Sequence, residues 1–244
     1  MAEQERLLLK VTGKGLELLK SDDPEMKGAV RVDFTAGRFA FRRKQRKKEL
    51  LVRAVEGKGG KGQALLNVID ATGGLGRDSF LLAAAGHRVS IFERESIIAT
   101  LLADGLERAA VHPETEAICA RIRLIVGDAV PALEAMQAAG ADQGGGAGEG
   151  VDVVYLDPMF PERRKAALVK KELQILQLLA EQDAAPERLL AAALKVAVQR
   201  VVVKRPLKAP CLTALPPSHS LSGKTIRFDV YTGGVLNRRR ENSG

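Results

Sequence analysis

Cysteine and histidine are scarce in this chain: Cys119 and Cys211, and His87, His112 and His219, are all there are among 244 residues. The two cysteines lie far apart and belong to no close pair. No disulfide framework is expected, and the chain reads as reduced and cytoplasmic. No histidine stands at ligand spacing from another histidine or from a cysteine, so the common zinc patterns are excluded and no metal is expected. Apolar runs of the roughly 18 residues that a membrane span requires are missing as well. The opening Met-Ala-Glu-Gln-Glu-Arg is too polar for a secretory apolar region. The expectation is a soluble chain, with no heptad pattern or apolar stripe that would specify an oligomeric state.

What the chain has is positive charge and enough apolar residues for a core. Lysine and arginine number 38 against 30 acidic residues, a formal charge of +8, and 45% of residues are hydrophobic. That content suffices for one sizeable α/β core with a small appendage. The charge favours polyanionic partners and says nothing about fold.

Two styles of patterning divide the sequence. Before residue 57, Leu7 to Val11 is strand-like and Gly15 to Lys20 could be a short helix. Val30 to Phe34 alternates, Thr35-Ala36-Gly37 can turn, and Arg38 to Phe41 alternates again, so a hairpin is expected there. Glu49 to Glu56 looks helical. The glycine-rich 57–62 then reads as a boundary between an extension at 1–62 and a main domain at 63–244.

From Leu65 onward strands and helices take turns. Short apolar runs at Leu65–Asp70, Arg88–Phe92, Arg121–Val126, Val151–Leu156 and Arg200–Lys204 are of the kind buried on both faces of a parallel sheet. Helical stretches fall at Arg77–Ala85, Ile97–Ala109, Val130–Ala138, Ala167 to about Ala180, and Pro186 to about Val198. Ser222–Tyr231 supplies a closing hairpin, and Gly140–Gly150 reads as a tolerated surface loop. Such repeated strand–helix units imply a parallel sheet with helices on both faces.

The first strand runs directly into Asp70-Ala71-Thr72-Gly73-Gly74-Leu75-Gly76-Arg77-Asp78. Glycines at a strand-to-helix turn let a ligand approach the backbone closely, at the strand ends where open α/β sheets bind ligands. Glu93 ends the second strand, where a carboxylate can accept from both ribose hydroxyls of a nucleoside. A nicotinamide dinucleotide asks for G-x-G-x-x-G; Gly74 and Gly76 fill the first two positions, but Ser79 occupies the third. Asp70, just before the turn, suits a cationic ligand such as S-adenosylmethionine better than a pyrophosphate.

Asp157-Pro158-Met159-Phe160 follows the fourth strand and resembles the [DN]-P-P-[FYW] signature of methyltransferases acting on exocyclic amines of bases. Such an amine is a poor nucleophile, because its lone pair is delocalised into the ring. The Asp157 carboxylate and the Pro158 carbonyl can accept its two hydrogens and hold the lone pair towards a methyl donor. Phe160 offers a ring for stacking by a base drawn out of its helix. Met159 departs from the second proline of the signature.

Together with Val154-Tyr155-Leu156-Asp157-Pro158-Met159-Phe160-Pro161, Ala167-Leu168-Val169-Lys170-Lys171-Glu172 and Arg200-Val201-Val202-Val203-Lys204-Arg205-Pro206, the glycine loop resembles the ribosomal RNA small subunit methyltransferase J family. The resemblance covers roughly Val30 to Tyr231. It implies a Rossmann-like class I fold, mostly parallel and seven-stranded, and methylation of the N2 amine of a guanosine near the 3′ end of 16S ribosomal RNA. It also implies S-adenosylmethionine contacts at Arg77 and Asp78, Glu93 and Arg94, and Asp157, beside the loop residues Asp70, Gly73, Gly74 and Gly76. After the third strand the family often carries two serines; here Asp128 and Ala129 stand in that place, and Asp128 could bind the adenine amino group.

Basic residues complete the expectation. Arg38, Arg42, Arg43, Lys44 and Arg46, with Lys47 and Lys48, form the densest run, and Lys170, Lys171, Lys204 and Arg205 follow strands four and five. RNA phosphates are the expected partners of both groups, in naked 16S ribosomal RNA or a small ribosomal subunit. Three rivals remain on sequence grounds: an N-methyltransferase for DNA adenine or protein glutamine, a nicotinamide-dependent oxidoreductase, and an RNA-binding module on an inactive methyltransferase fold.

Overall fold

A computed structural model describes residues 7–20, 29–45, 48–57, 65–139, 150–158 and 186–232. The glycine loop at 140–149, the helix expected from Ala167, and Arg46, Met159, Phe160, Lys170 and Lys171 lie outside the described residues.

Five short apolar segments supply the centre of a sheet: β3 (Asn67–Asp70), β4 (Arg88–Glu93), β5 (Ile122–Val126), β6 (Val153–Leu156) and β7 (Arg200–Pro206), all parallel. Two further strands, β8 (His219–Ser222) and β9 (Ile226–Thr232), close one side, β9 running antiparallel to β7. The order across the seven strands is β5-β4-β3-β6-β7-β9-β8. Connections run outward in both directions from β3 and β6, so the carboxyl ends of these neighbouring strands flank the point where the winding reverses. That is where an open α/β sheet leaves a crevice for ligands.

Alternation within each strand explains why the runs are apolar throughout. Val68, Val153, Tyr155 and Val202 enter one core, while Ile69, Val154, Leu156, Val201 and Val203 enter another on the opposite face. The first core is covered by α3 (Arg77–Ala85), α4 (Ser96–Ala110) and α2 (Leu50–Glu56); the second by α6 (Ala129–Ala138) and α7 (Pro186–Val196). Between α4 and β5 lies a single turn of helix, α5 (Glu116–Cys119). Helix α3 ends as its sequence suggests, with Gly86 in the left-handed region at φ 115°.

The N-terminal segment departs from expectation twice. Residues 15–20 form a strand, not a helix: β1 (Leu7–Thr12) and β2 (Gly15–Lys20) make a hairpin with Gly13-Lys14 at its tip. Leu18 also exchanges backbone hydrogen bonds with Val30, at 2.9 and 2.8 Å. Six residues cannot sustain an isolated helix, whereas this segment finds partners on both edges. Residues 30–41 form no hairpin. Asp33 Oδ1 accepts from the Thr35 and Ala36 amides, at 2.9 and 3.2 Å, and turns the chain into α1 (Gly37–Lys44). The alternation at Val30, Val32 and Phe34 is nevertheless used, since all three are buried in the first core. Helix α2, expected from Glu49 to Glu56, forms at Leu50–Glu56.

Docking of this segment is specific. Phe34 stacks on Phe80 of α3 with ring centroids 4.2 Å apart. Arg108 on α4 donates to the Val32 carbonyl at 2.6 Å, and Asp104 accepts from the Leu16 amide at 3.2 Å. Val32 sits over Gly105, where an added Cβ would lie 2.4 Å from Val32 Cγ1 and 3.2 Å from its carbonyl oxygen.

Gly105→Ala therefore opposes two effects. Helix propensity favours alanine by about 1 kcal/mol, while overpacking against atoms on or next to the backbone costs about 1 to 3 kcal/mol. Urea unfolding is expected to show a net loss of about 1 kcal/mol. Gly13→Ala, at a position with nothing within 4 Å, serves as the near-neutral control.

Candidate active site

The parallel strands deliver their last residues to one edge, and acidic side chains gather there. Asp70 ends β3, Glu93 ends β4, Asp128 follows β5 and Asp157 follows β6. Asp78 comes from the first turn of α3.

Glu93 is buried, with both oxygens held by backbone: Oε2 accepts from the Gly74 amide at 2.6 Å and Oε1 from the Glu95 amide at 2.8 Å. Burial pushes its carboxyl above the usual range, and the two amides partly offset that. Each oxygen keeps a further lone pair, so the pair can still accept from a diol. Gly73 packs its backbone on β4, where a Cβ would lie 2.4 Å from Ile91 Cγ2 and 2.9 Å from the Phe92 carbonyl oxygen. Gly74 faces open space, the nearest atom to its would-be Cβ being Thr72 O at 3.9 Å. Gly76, at φ 69°, caps α3 against Leu102.

Asp70 faces inward. It is 1% exposed; one oxygen takes the Thr72 amide at 3.1 Å and the other takes the Ser79 hydroxyl. Burial raises its pKa to about 7, the Asp78 and Asp157 charges adding to the shift. Its observed contacts organise the loop, with Ser79 as an unanticipated partner.

Asp78 and Asp157 share one cation. Lys204 Nζ lies 2.8 Å from an oxygen of each. The register accounts for this: β6 and β7 pair as far as Leu156↔Val203, so Asp157 and Lys204 stand one step beyond, side by side. The Tyr155 hydroxyl donates to Asp78 at 2.6 Å, and the Asp157 amide donates to Thr72 Oγ1 at 2.7 Å. Burial by itself would push the Lys204 ammonium down, but the Asp157 and Asp78 charges hold it above the ordinary lysine range. For Asp78 burial is outweighed by Lys204, Tyr155 and Arg42, which hold its carboxyl low. For Asp157 partial burial and the Asp78 charge prevail over Lys204, leaving its carboxyl raised.

Asp128 is exposed and caps α6 by accepting from the Val130 amide at 2.8 Å, with Ala129 buried behind it. Arg77 is exposed on α3, and Arg94 lies beside Glu95 at 3.8 Å. Pro158 is buried directly after Asp157.

The basic residues divide. Lys44 is exposed, and Arg42 is half exposed in a fork with Glu49, at 3.0 and 2.9 Å. Arg38 lies within α1. Arg43 and Arg205 correct the expectation of phosphate contacts. Arg43 is 4% exposed and paired with Glu114, while Arg205 is 1% exposed and donates from Nε and Nη2 to the Pro210 carbonyl. Neither guanidinium reaches solvent. Lys204 points into the carboxylate cluster instead of outward.

Thr72, Ser79 and Tyr155 were not anticipated as members of this site. Tyr155 and Asp157 occupy alternate positions on one strand, which was the available signal.

The donor set fits S-adenosylmethionine. Glu93 offers acceptors for a diol, and among the described residues the clustered carboxylates outnumber the Lys204 ammonium at an edge suited to a positively charged ligand. A pyrophosphate at the start of α3 would meet Asp78 and Asp70 there, which argues against a dinucleotide. Among the described residues no helix is long and apolar enough to cross a membrane, and no group of three potential ligands is placed to hold a metal.

Comparison with known proteins agrees. A family model described as SAM-dependent methyltransferase matches residues 1–233. A curated relative from Thioalkalivibrio sulfidiphilus, named ribosomal RNA small subunit methyltransferase J, is 45% identical over 230 residues, covering 93% of this chain and 85% of its own. A relative of the same name from Pseudomonas paraeruginosa is 43% identical over 238 residues, covering 97% and 86%. A crystal structure of a SAM-dependent methyltransferase from Neisseria gonorrhoeae superposes with a TM-score of 0.70 at 32% identity, covering 95% of this chain and 85% of that one.

The Asp70 environment makes a pH prediction. Its folded pKa of about 7 lies above the unfolded value, so the folded state holds the extra proton between about 4 and about 7 and its stability falls as pH rises through that window. Asp70→Asn is expected to gain stability relative to the parent across the same window, read as the difference in Tm at each pH. A constant difference would reject the buried, protonated carboxyl.

Proposed function

Because the chain belongs to the ribosomal RNA small subunit methyltransferase J family of SAM-dependent methyltransferases, we propose that it methylates the exocyclic N2 amine of a guanosine near the 3′ end of 16S ribosomal RNA. The observation that carries this reading is the Asp157 carboxylate at the end of β6, fixed through its amide to Thr72 and beside the Glu93 loop. Lys204 takes its Oδ2, and no donor among the described residues meets Oδ1.

S-adenosylmethionine, when bound, supplies an electrophilic methyl group on a sulfonium. Glu93, with the Gly73-Gly74 backbone, holds the nucleoside part, and Asp78 and Asp128 stand within the same crevice edge. Asp157 and the Pro158 carbonyl accept the two amine hydrogens. This orients the nitrogen lone pair, and orientation is the main lever for a weak nucleophile. Phe160 is the candidate stacking ring. Arg38, Arg42, Lys44 and Arg46 on and after α1, and Lys170 and Lys171 beyond β6, are the candidate phosphate contacts, which makes affinity fall with salt. The substrate class implies action in the cytoplasm.

Labelled methyl transfer to small-subunit RNA, followed by mass mapping of the modified nucleoside, tests the proposal. N2-methylguanosine is the expected product, and Asp157→Ala is expected to lower the rate by about 100-fold or more. Label that survives ribonuclease, or full activity of the variant, would reject the assignment.

A further inference from the structure

Lys204 is a feature of the crevice that the amine-acceptor reading does not use, and its surroundings are unusual. A phosphate contact is the ordinary work of a lysine near bound RNA. Here the side chain is 24% exposed and its ammonium makes two charge-assisted hydrogen bonds, one to Asp78 and one to Asp157, each 2.8 Å long. Turning outward to a phosphate would break both and leave neighbouring carboxylates facing one another.

Among the described residues, the groups facing Asp157 come from several elements. Asp78 from α3 places negative charge against its ionised form, and Asp70 from β3 is a buried neighbour whose own carboxyl is raised to about 7. Tyr155, from its own strand, is neutral and directs its hydroxyl to Asp78. Arg42 from α1 acts on Asp78 but is committed to Glu49 by two hydrogen bonds. Thr72 fixes the Asp157 backbone through its amide, and the bond from Lys204 falls on the carboxylate. Among these groups Lys204 alone both opposes the protonation of Asp157 and restrains its carboxylate.

We propose that Lys204 is a positioning residue for methyl transfer, whose ammonium holds Asp157 ionised and ties up Oδ2 so that Oδ1 serves as the acceptor for the amine. The inference rests on the reading of Asp157 as that acceptor. Tyr155 and Asp78 brace the lysine from the other side, since the tyrosine fixes the carboxylate to which the ammonium is anchored. Being part of β7, Lys204 is set by the sheet and not by a loop, so its placement does not depend on RNA.

The sign follows directly. An acceptor carboxylate works when ionised, so the rate falls as pH drops through its pKa. Removing the ammonium raises that pKa and moves the acidic limb of the pH–rate profile upward. Single-turnover methylation of small-subunit RNA is to be measured across pH for Lys204→Met, Lys204→Arg and Asp157→Asn, with cofactor affinity by calorimetry. Carboxyl 13C titration of the cofactor-free protein, with the Asp157 signal assigned through Asp157→Asn, gives a readout independent of turnover.

For Lys204→Met the acidic limb and the Asp157 titration are expected to move up together by about 1 to 3 pH units. Lys204→Arg is expected to restore both, and cofactor Kd should stay within about threefold. If Lys204→Met does not fold, Lys204→Gln carries the same test. An unmoved limb and titration overturn the proposal. So does a loss of rate matched by weaker cofactor binding with the limb in place, which would make Lys204 part of the cofactor site. Wild-type activity in Asp157→Asn would show that a neutral amide oxygen accepts as well and would overturn the inference, whereas full activity in Asp157→Ala would remove the acceptor reading itself. A dead Asp157→Asn with an unmoved Lys204→Met limb would remove only the inference.

Discussion

Negative charge concentrated at the end of a parallel sheet is the constraint to which the rest of this structure answers. Asp70, Asp78 and Asp157 influence one another's ionisation, and a single ammonium, that of Lys204, bridges two of them. Like charges in a partly dry setting repel by several kcal/mol unless protonated, paired or hydrogen-bonded. Each carboxylate takes a different way out. Asp70 is buried and shares its environment with Ser79 and Thr72; Asp78 is paired and bonded by Tyr155; Asp157 is paired and half open to solvent.

The same cluster explains why the N-terminal segment matters to the site. Phe34 stacks on Phe80, two residues beyond Asp78 on α3, and Val32 is clamped to α4 by Arg108. Helix α3 is thus held from outside by the segment and from inside by the sheet. Arg42, on α1 of that segment, adds positive charge that stabilises ionised Asp78. The segment is both a cover for the first core and a part of the electrostatic frame.

Much of this was legible in the sequence, for identifiable reasons. Strands buried on both faces read as continuous apolar runs, and the glycines and Glu93 lie at strand ends whatever the packing. Tertiary partners decided the rest. Gly15–Lys20 is too short for its pattern to separate helix from strand, and the edges offered by β1 and Val30 settle it. Arg38–Phe41 alternates like a strand, yet the turn built on Asp33 starts a helix first. Lys204 and Arg205 are consecutive basic residues in the sequence. On a strand they face opposite ways, one into the crevice and one into the protein, and only the register with β6 shows which.

That register also determines which carboxylate can do the work of an acceptor. Asp70, its pKa raised to about 7 by burial and both oxygens engaged, holds its proton far more readily than a free carboxyl and is closed to a ligand amine. Asp157 is raised by burial and the Asp78 charge, but it borders Lys204 and its side chain is 40% exposed. Each pH unit by which a nearby cation lowers a carboxyl pKa is worth about 1.4 kcal/mol in favour of the ionised form. A lysine one strand position away, fixed by β7, supplies that bias with no rearrangement on binding. The strand end that carries Asp157 is therefore the place where a partly accessible carboxylate is paired with a fixed cation amid other carboxylates.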